Sequence, residues 1–430
     1  MARQRLGAEF GKVFTANLSS SLADGIARTA IPLLAVQLTT DPLLISGIAA
    51  LQMVPWLLFA IPAGLIVDGV DRRRALAISN TLRTLLAVVL FVLALTGSLS
   101  IWSLYVVIFL YGVGETVYDG AIRAVVPSLV PKALLPKANG RIEAAENVVQ
   151  SFLAGPITSL LFAVTVLIPL GVNAAAFALA AALALFLPSV ASGRQFAAAS
   201  TAPRVPWYRQ LGDGYRFIFG NRMLTTLLFL TTFIGLMFSA ATATFVLFVI
   251  DDQGLPEEWF GVFALTAAAG GVLGSLLAPV LTSRFRAGPT MAIANILASA
   301  GLVPLYFFPN LWVAGAAWFL TSAAVLVWNV LVMSLRQAII PGRLLGRVHG
   351  SWRTILWGSM PLGSLVGGLL GRVDITLPFL VGGGLATLAG IVFFRFLARL
   401  PNPEEVDNGD PPTAPAPAPE AGPTDPIVQD

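Results

Sequence analysis

The chain has 430 residues, of which 57% are hydrophobic and only 11% charged, with a mean hydropathy of +0.82. A soluble domain carries about 25% charged residues, so these proportions exclude a water-facing surface and make lipid the solvent. The absence of cysteine excludes disulfides and thiolate metal sites, and a single histidine argues against a transition-metal centre. A helix needs about 20 apolar residues to cross roughly 30 Å of hydrocarbon. In chain order, spans are predicted at 13–38, 44–67, 75–96, 101–122, 143–167, 171–188, 223–250, 259–282, 289–308, 311–334, 350–370 and 376–398. The fold class expected is therefore an all-α membrane protein of twelve transmembrane helices, with no cleaved leader, since the first apolar run continues to Leu38.

Orientation follows from Lys and Arg, which are retained near the cytoplasmic ends of helices. With the N-terminus inside, 23 of the 26 fall in cytoplasmic segments, Arg372 lies outside, and Arg28 and Arg83 lie within spans. Both termini are expected in the cytoplasm of a bacterial inner membrane. The pI near 9.7 then records topology and not nucleic-acid binding. The chain divides into a six-helix half at 1–188, a linker at 189–222, a second half at 223–400 and a tail at 401–430. Trp207 to Asn221 in the linker alternates apolar and charged faces as an interfacial helix. The tail is rich in Pro and acid without Lys or Arg, which predicts disorder.

The halves echo each other. A shift of 210 residues aligns Val130-Pro131 with Ile340-Pro341, Lys137 with Arg347 and Gly140 with Gly350; a shift of 214 or 215 aligns Gly47 with Gly261 and Asn80 with Asn295. A near-constant offset indicates duplication, which places a substrate site at the midplane between the halves.

Charges inside spans cost about 2.5–3.5 kcal/mol on insertion scales, so those present should have partners or face a water-filled cavity. Asn17, Ser20, Asp24 and Arg28 form one polar stripe on helix 1, on which Asp24 and Arg28 are spaced to pair. Tyr111, Glu115, Asp119 and Arg123 form another on helix 4. Asp24, Glu115, Asp119, Arg28 and Arg83 are candidates for proton coupling; the competing reading is structural ion pairs, with Glu115 capped by hydroxyls or paired to Arg83. Glu143 and Glu146 read as first-turn carboxylates of helix 5. Asn17, Asn147, Trp328, Trp357 and Met360 are candidates for the substrate cavity, with Trp318 and Trp352 beside them; lipid-facing or core packing is the alternative. In the second half only Arg353 sits well inside a span, near the inner end of helix 11, where it can snorkel to the interface, and His349 falls in a cytoplasmic link. Gly270, Gly271, Gly274, Gly367, Gly368 and Gly371 favour close helix contacts.

The link between helices 2 and 3 reads GLIVDGVDRRR, Gly64 to Arg74. It resembles motif A of the major facilitator superfamily, a glycine, three residues, an acid and then a basic pair, carried here by Gly64, Asp68, Arg72 and Arg73. The basic residue that usually follows the acid is Gly69. Asn17–Thr39, Ala138–Arg141 and residues 211–224 resemble the enterobactin-exporter and macrolide-efflux branch, the transmembrane secretion effectors. Helix 5 carries Gly155-Pro156, the core of a motif associated with antiporters, with Ser151 and Ser159 where that motif has glycines. The arginine expected early in helix 4 is replaced by Ile108.

The resemblance implies a secondary transporter working by alternating access, with Asp68 as a conformational latch and export of a drug, antibiotic or siderophore in exchange for protons. The expected partners are a small-molecule substrate, protons and lipid, with no cofactor and no nucleic acid, and the chain is expected to be a monomer. No GxxxxGK[ST] phosphate loop supplies an ATP motor. Other readings are a symporter or facilitator importing a solute, and a non-transporting receptor or membrane enzyme. No catalytic constellation supports the enzyme.

Overall fold

The computed structural model describes residues 6–130, 134–192 and 207–406, and at 60–69 it describes the backbone alone. Asp68, Gly64 and most of the expected tail therefore lie outside what is described for side chains. Among the described residues the chain is helical throughout, without strands. Ten stretches are long and apolar enough to cross a membrane, and Phe379–Val392 adds a shorter one.

The first half contains α1 (Ala8–Leu38), α2 (Pro42–Gly69), α3 (Arg72–Leu95) and α4 (Ile101–Leu129), then α5 and α6. Helix α5 runs from Leu135–Asn147 through a wide π turn at Val148–Leu153 into Ala154–Val164, and α6 is Leu167–Leu185. The linker helix is Trp207–Gly220. The second half contains α7 (Arg222–Thr242, prolonged to Asp252), α8 (Glu257–Arg284), α9 (Ala287–Ala300, prolonged to Phe307), α10 (Leu311–Ile339), α11 (Gly342–Val373) and α12, which begins with a π turn at Phe379–Gly383 and ends at Ala398.

Short links punctuate these helices because polar side chains satisfy the free N–H groups at each start. Ser100 and Ser103 close a reciprocal capping box before α4, and the Val313 N–H donates to the Asn310 side chain at 3.0 Å before α10. The Asp71 carboxylate accepts from the Arg73 N–H at 3.1 Å before α3.

Several expected boundaries move, three of them with consequences for charged residues. Helix α5 begins at Leu135, eight residues before the expected start, so Glu143 and Glu146 lie in its third turn and not its first. Helix α10 continues to Ile339 and α11 begins at Gly342, which places Arg336 and His349 inside helices. Hydropathy windows end where charge begins, but a helix continues for as long as its backbone and charged side chains find partners.

Each half has its own apolar core. Phe177, Leu104, Leu34 and Leu90 anchor the first, and Trp352, Leu224, Leu228 and Met291 the second. The linker helix packs on the second: Ile218 is fully buried, and Arg347 of α11 donates to Asp213 at 2.8 Å. Repeat-related Asn80 and Asn295 are both buried, on α3 and α9.

The halves meet along α2 with α11 and along α5 with α8. The approach of α5 to α8 requires glycine: a Cβ at Gly261 would lie 2.1 Å from the Gly155 carbonyl oxygen, well inside van der Waals contact. Similarly, a Cβ at Gly368 would overlap Ser46 of α2. We call the face on which α1 begins the terminal face. Among the described residues, every hydrogen bond and ion pair crossing between halves lies toward the other face. Gln37 donates to Glu257 at 2.8 Å, the Gly261 N–H to Ser159 at 2.8 Å, and Arg372 clasps both oxygens of Asp41 at 2.8 and 2.5 Å. The polar contacts described between the halves are therefore concentrated opposite the termini.

Candidate functional site: a charged chamber between the halves

Helix α1 carries its polar stripe into the protein because α3, α4 and α6 supply matching polar groups. Arg83 of α3 is fully buried and donates to Asp24 at 2.9 Å and to Ser20 at 3.1 Å. It also bonds the Asn80 side-chain oxygen, and its guanidinium lies 4.6 Å from the ring centres of Tyr118 and Phe177. Two ring faces and three oxygen acceptors thus replace the water that this cation has lost. Tyr111 donates to Asn173 at 2.6 Å, and the Asn173 amide donates to the Ala23 carbonyl at 2.6 Å, tying α4 and α6 to α1.

The pairing differs from the one expected along α1. Asp24 pairs with Arg83, and Arg28, one turn further on, donates across to Glu115 of α4 at 3.2 Å. Glu115 thus has a cation beside it, and its partner is Arg28 and not Arg83. Spacing of four allows an intrahelical pair, but the close approach of α3 and α4 offers shorter and more fully hydrogen-bonded partners. The two pairs also differ in access. Arg83 and Asp24 side chains are 0% and 13% exposed, against 61% and 31% for Arg28 and Glu115. The first pair is nearly sealed, with Asp24 reaching the edge of the cavity; the second faces it directly.

That cavity has a volume of about 420 Å³ and is lined by Asp24, Arg28, Gln52, Trp56, Glu115 and, from the second half, Trp357. A second, of about 640 Å³, lies between α5 and α7, α8 and α10. Asn147, Gln150, Phe238, Trp318 and Thr321 line it, and it carries no charge. A smaller one, of about 230 Å³, lies between α4 and α5 and includes Asp119, Arg123, Glu143 and Glu146. There Arg123 binds Asp119 at 3.0 Å, and Glu146 accepts from Asn17 at 2.7 Å.

The structure thus brings Asp24, Arg28, Glu115 and Trp357 together around one chamber and puts Asn147 and Trp318 on another. Asn17 and Arg83 lie behind the wall, Asn17 held between Glu146 and Tyr118. Trp328 and Trp352 are buried in the second core and line neither cavity. Met360 faces α7, near Gly235.

The second half is also less apolar inside than its hydropathy suggests. Arg336 is buried, bonds His349 at 3.2 Å and lies 4.1 Å from the centre of the Trp352 ring. In the motif A region, Arg72 donates to the Ala124 carbonyl at 2.7 Å, and Arg73 binds Asp71 and the Leu187 carbonyl. Those bonds tie the start of α3 to the ends of α4 and α6. Gly155 and Pro156 sit just past the π turn of α5, and Ser159, where the antiporter motif has glycine, accepts the Gly261 N–H across the halves.

The family model described as transmembrane secretion effector matches residues 6–422. The chain belongs to this family of the major facilitator superfamily. Among characterised relatives it is 23% identical over 400 residues to macrolide efflux protein A of Streptococcus pyogenes, covering 89% of this chain and 95% of that protein. It is 25% identical over 401 residues to the multidrug efflux pump Tap of Mycolicibacterium fortuitum, covering 90% and 95%. Its fold is similar to that of a mutant of the nucleoside transporter NupG, with a TM-score of 0.72 at 13% identity, covering 90% of this chain and 99% of that one. A bacterial homologue of the iron transporter ferroportin, in an inward-facing state, gives a TM-score of 0.71 at 15% identity, covering 92% and 100%. The twelve-helix, multi-pass major facilitator fold is thereby established.

Proposed function

We propose that the protein is a secondary active exporter of a hydrophobic or amphipathic small molecule, driven by protons entering the cell. The observation that carries this reading is a chamber walled by the exposed Arg28–Glu115 pair of the first half and by Trp357 of the second, with the Asp41–Arg372 pair joining the halves on one face. The efflux functions of the relatives from Streptococcus and Mycolicibacterium support the direction. The Lys and Arg distribution supports cytoplasmic termini. On that orientation the contacts at the opposite face close the chamber to the outside, and substrate enters from the cytoplasm.

Glu115 and Asp24 are the proposed proton carriers. Protonation of Glu115 would release Arg28 and change the charge of the wall between loading and release. One proton crossing 100 mV supplies about 2.3 kcal/mol, about a fiftyfold accumulation. Asp68 remains proposed as the latch of motif A, acting at the terminal face, and the two six-helix halves as the units that rock.

Inverted membrane vesicles test this directly. With a fluorescent lipophilic dye outside, acidifying the lumen should drive dye inward, and a protonophore should abolish the movement. Dye movement that follows only its own gradient would overturn the proton-driven reading.

A further inference from the structure

Of four arginines on or near the central chamber, three hold a carboxylate and, among the described residues, one does not. Arg83 holds Asp24, Arg28 holds Glu115 and Arg123 holds Asp119. Arg353, one turn from Trp357 on α11, has no carboxylate within ion-pair distance and makes no hydrogen bond among the described residues. Its guanidinium lies 4.2 Å from the centre of the Trp357 ring and 5.6 Å from that of Trp56. Those two rings, half-buried, meet edge to face at 5.8 Å and come from opposite halves. Stacking occupies the flat face of a guanidinium, whereas its five N–H donors point outward in the plane. None of the Arg353 nitrogens is among the buried, unpartnered atoms, in contrast to the Arg83 and Arg336 Nε atoms. Arg353 is thus half-buried, not sealed from solvent, and stacked on two indoles that themselves line the chamber, with no hydrogen-bond acceptor among the described residues.

We propose that Arg353, Trp357 and Trp56 form a subsite for a carboxylate carried on an aromatic body. The carboxylate binds the free guanidinium edge in the two-bond geometry that arginine favours. The aromatic body lies on the exposed parts of the two indoles and extends into the 420 Å³ chamber. Asp24 and Glu115 are held by their own arginines, and Asp119, which acts on Arg353 through space, is itself paired with Arg123. The contact spans both halves, so a bound carboxylate would also bear on how α2 and α11 sit against each other. This inference rests on reading the chamber as the substrate path.

The test is equilibrium binding to the purified full-length protein in zwitterionic nanodiscs, with empty nanodiscs subtracted. The probes are a xanthene dye bearing a free carboxylate and the methyl ester of the same dye. The acid should bind at least about tenfold more tightly than its ester. Arg353→Gln should bring the acid down to the ester's affinity and leave the ester unchanged, while Arg353→Lys should keep part of the preference. Equal or tighter binding of the ester, no binding of the acid, or a preference that survives Arg353→Gln would each overturn the proposal. Unaltered ester binding by Arg353→Gln verifies that the variant is folded. Binding needs no gradient, so a failure of proton-driven export in vesicles would leave this result intact and be recognised separately.

Discussion

Removing Arg83 tests whether the first-half interior is held by charge pairing. Arg83→Met keeps the length and apolar stem of the side chain but leaves Asp24, 13% exposed, without its cation. It also frees Ser20 and Asn80 from one donor each. Breaking a buried pair from one side costs about 3–5 kcal/mol, chiefly because the remaining charge is stranded. Asp24→Asn should cost less, since the amide oxygen still accepts from Arg83. In the double variant no charge is stranded, so its stability should lie well above the sum of the two single losses, with a coupling of about 1–3 kcal/mol. Unfolding followed by intrinsic tryptophan fluorescence in detergent measures all four proteins. If the two losses simply add, Arg83 and Asp24 do not act as a unit and the pairing described here is wrong.

Asp24→Asn and Glu115→Gln should each reduce proton-driven efflux several-fold at unchanged membrane insertion, read by vesicle transport beside quantified protein; normal transport by both would exclude them as proton carriers. Gly261→Val places a branched side chain where even a Cβ meets the Gly155 carbonyl at 2.1 Å. It should therefore widen the separation of spin labels at Ser98 and Asn310, on exposed links of the two halves, measured by pulsed electron resonance after each is replaced by cysteine in this cysteine-free chain. The Arg372 hydrogen bond holds the Asp41 carboxyl below its ordinary value of 3.8. A depressed value means that the pair's stabilisation is complete above that ordinary value and is lost as pH falls through the depressed one. The same label distance should thus be constant from about pH 5 to 8 and lengthen only in stronger acid, whereas Asp41→Asn should lengthen it at neutral pH.

Ten of the helices were legible because lipid imposes a length and a hydropathy on a span, and Asn80 and Asn295, aligned by the sequence offset, are alike in being buried. Helix ends were not legible, since Arg336 and His349 continue α10 and α11 by finding an indole and each other, which no hydropathy window registers. The site was half legible. Spacing identified which residues share a face of α1 and of α4, but the choice between Arg28 and Arg83 as the partner of Asp24 depends on how closely α3 and α4 approach. Likewise Trp328 and Trp357 read alike as exposed or buried indoles; only the packing of α10 against the second core buries the former. Ser159 read as a lost glycine, and its bond to Gly261 becomes visible only when the halves are set together.

The chamber between the halves is proposed to carry substrate outward at the expense of a proton gradient. The most direct measurement uses the purified protein in liposomes with an imposed pH gradient and a labelled macrolide. We predict concentrative movement of the macrolide against proton flow, abolished by collapsing the gradient and strongly reduced by Glu115→Gln. Equal distribution across the membrane under the gradient, with wild type and Glu115→Gln indistinguishable, would contradict it.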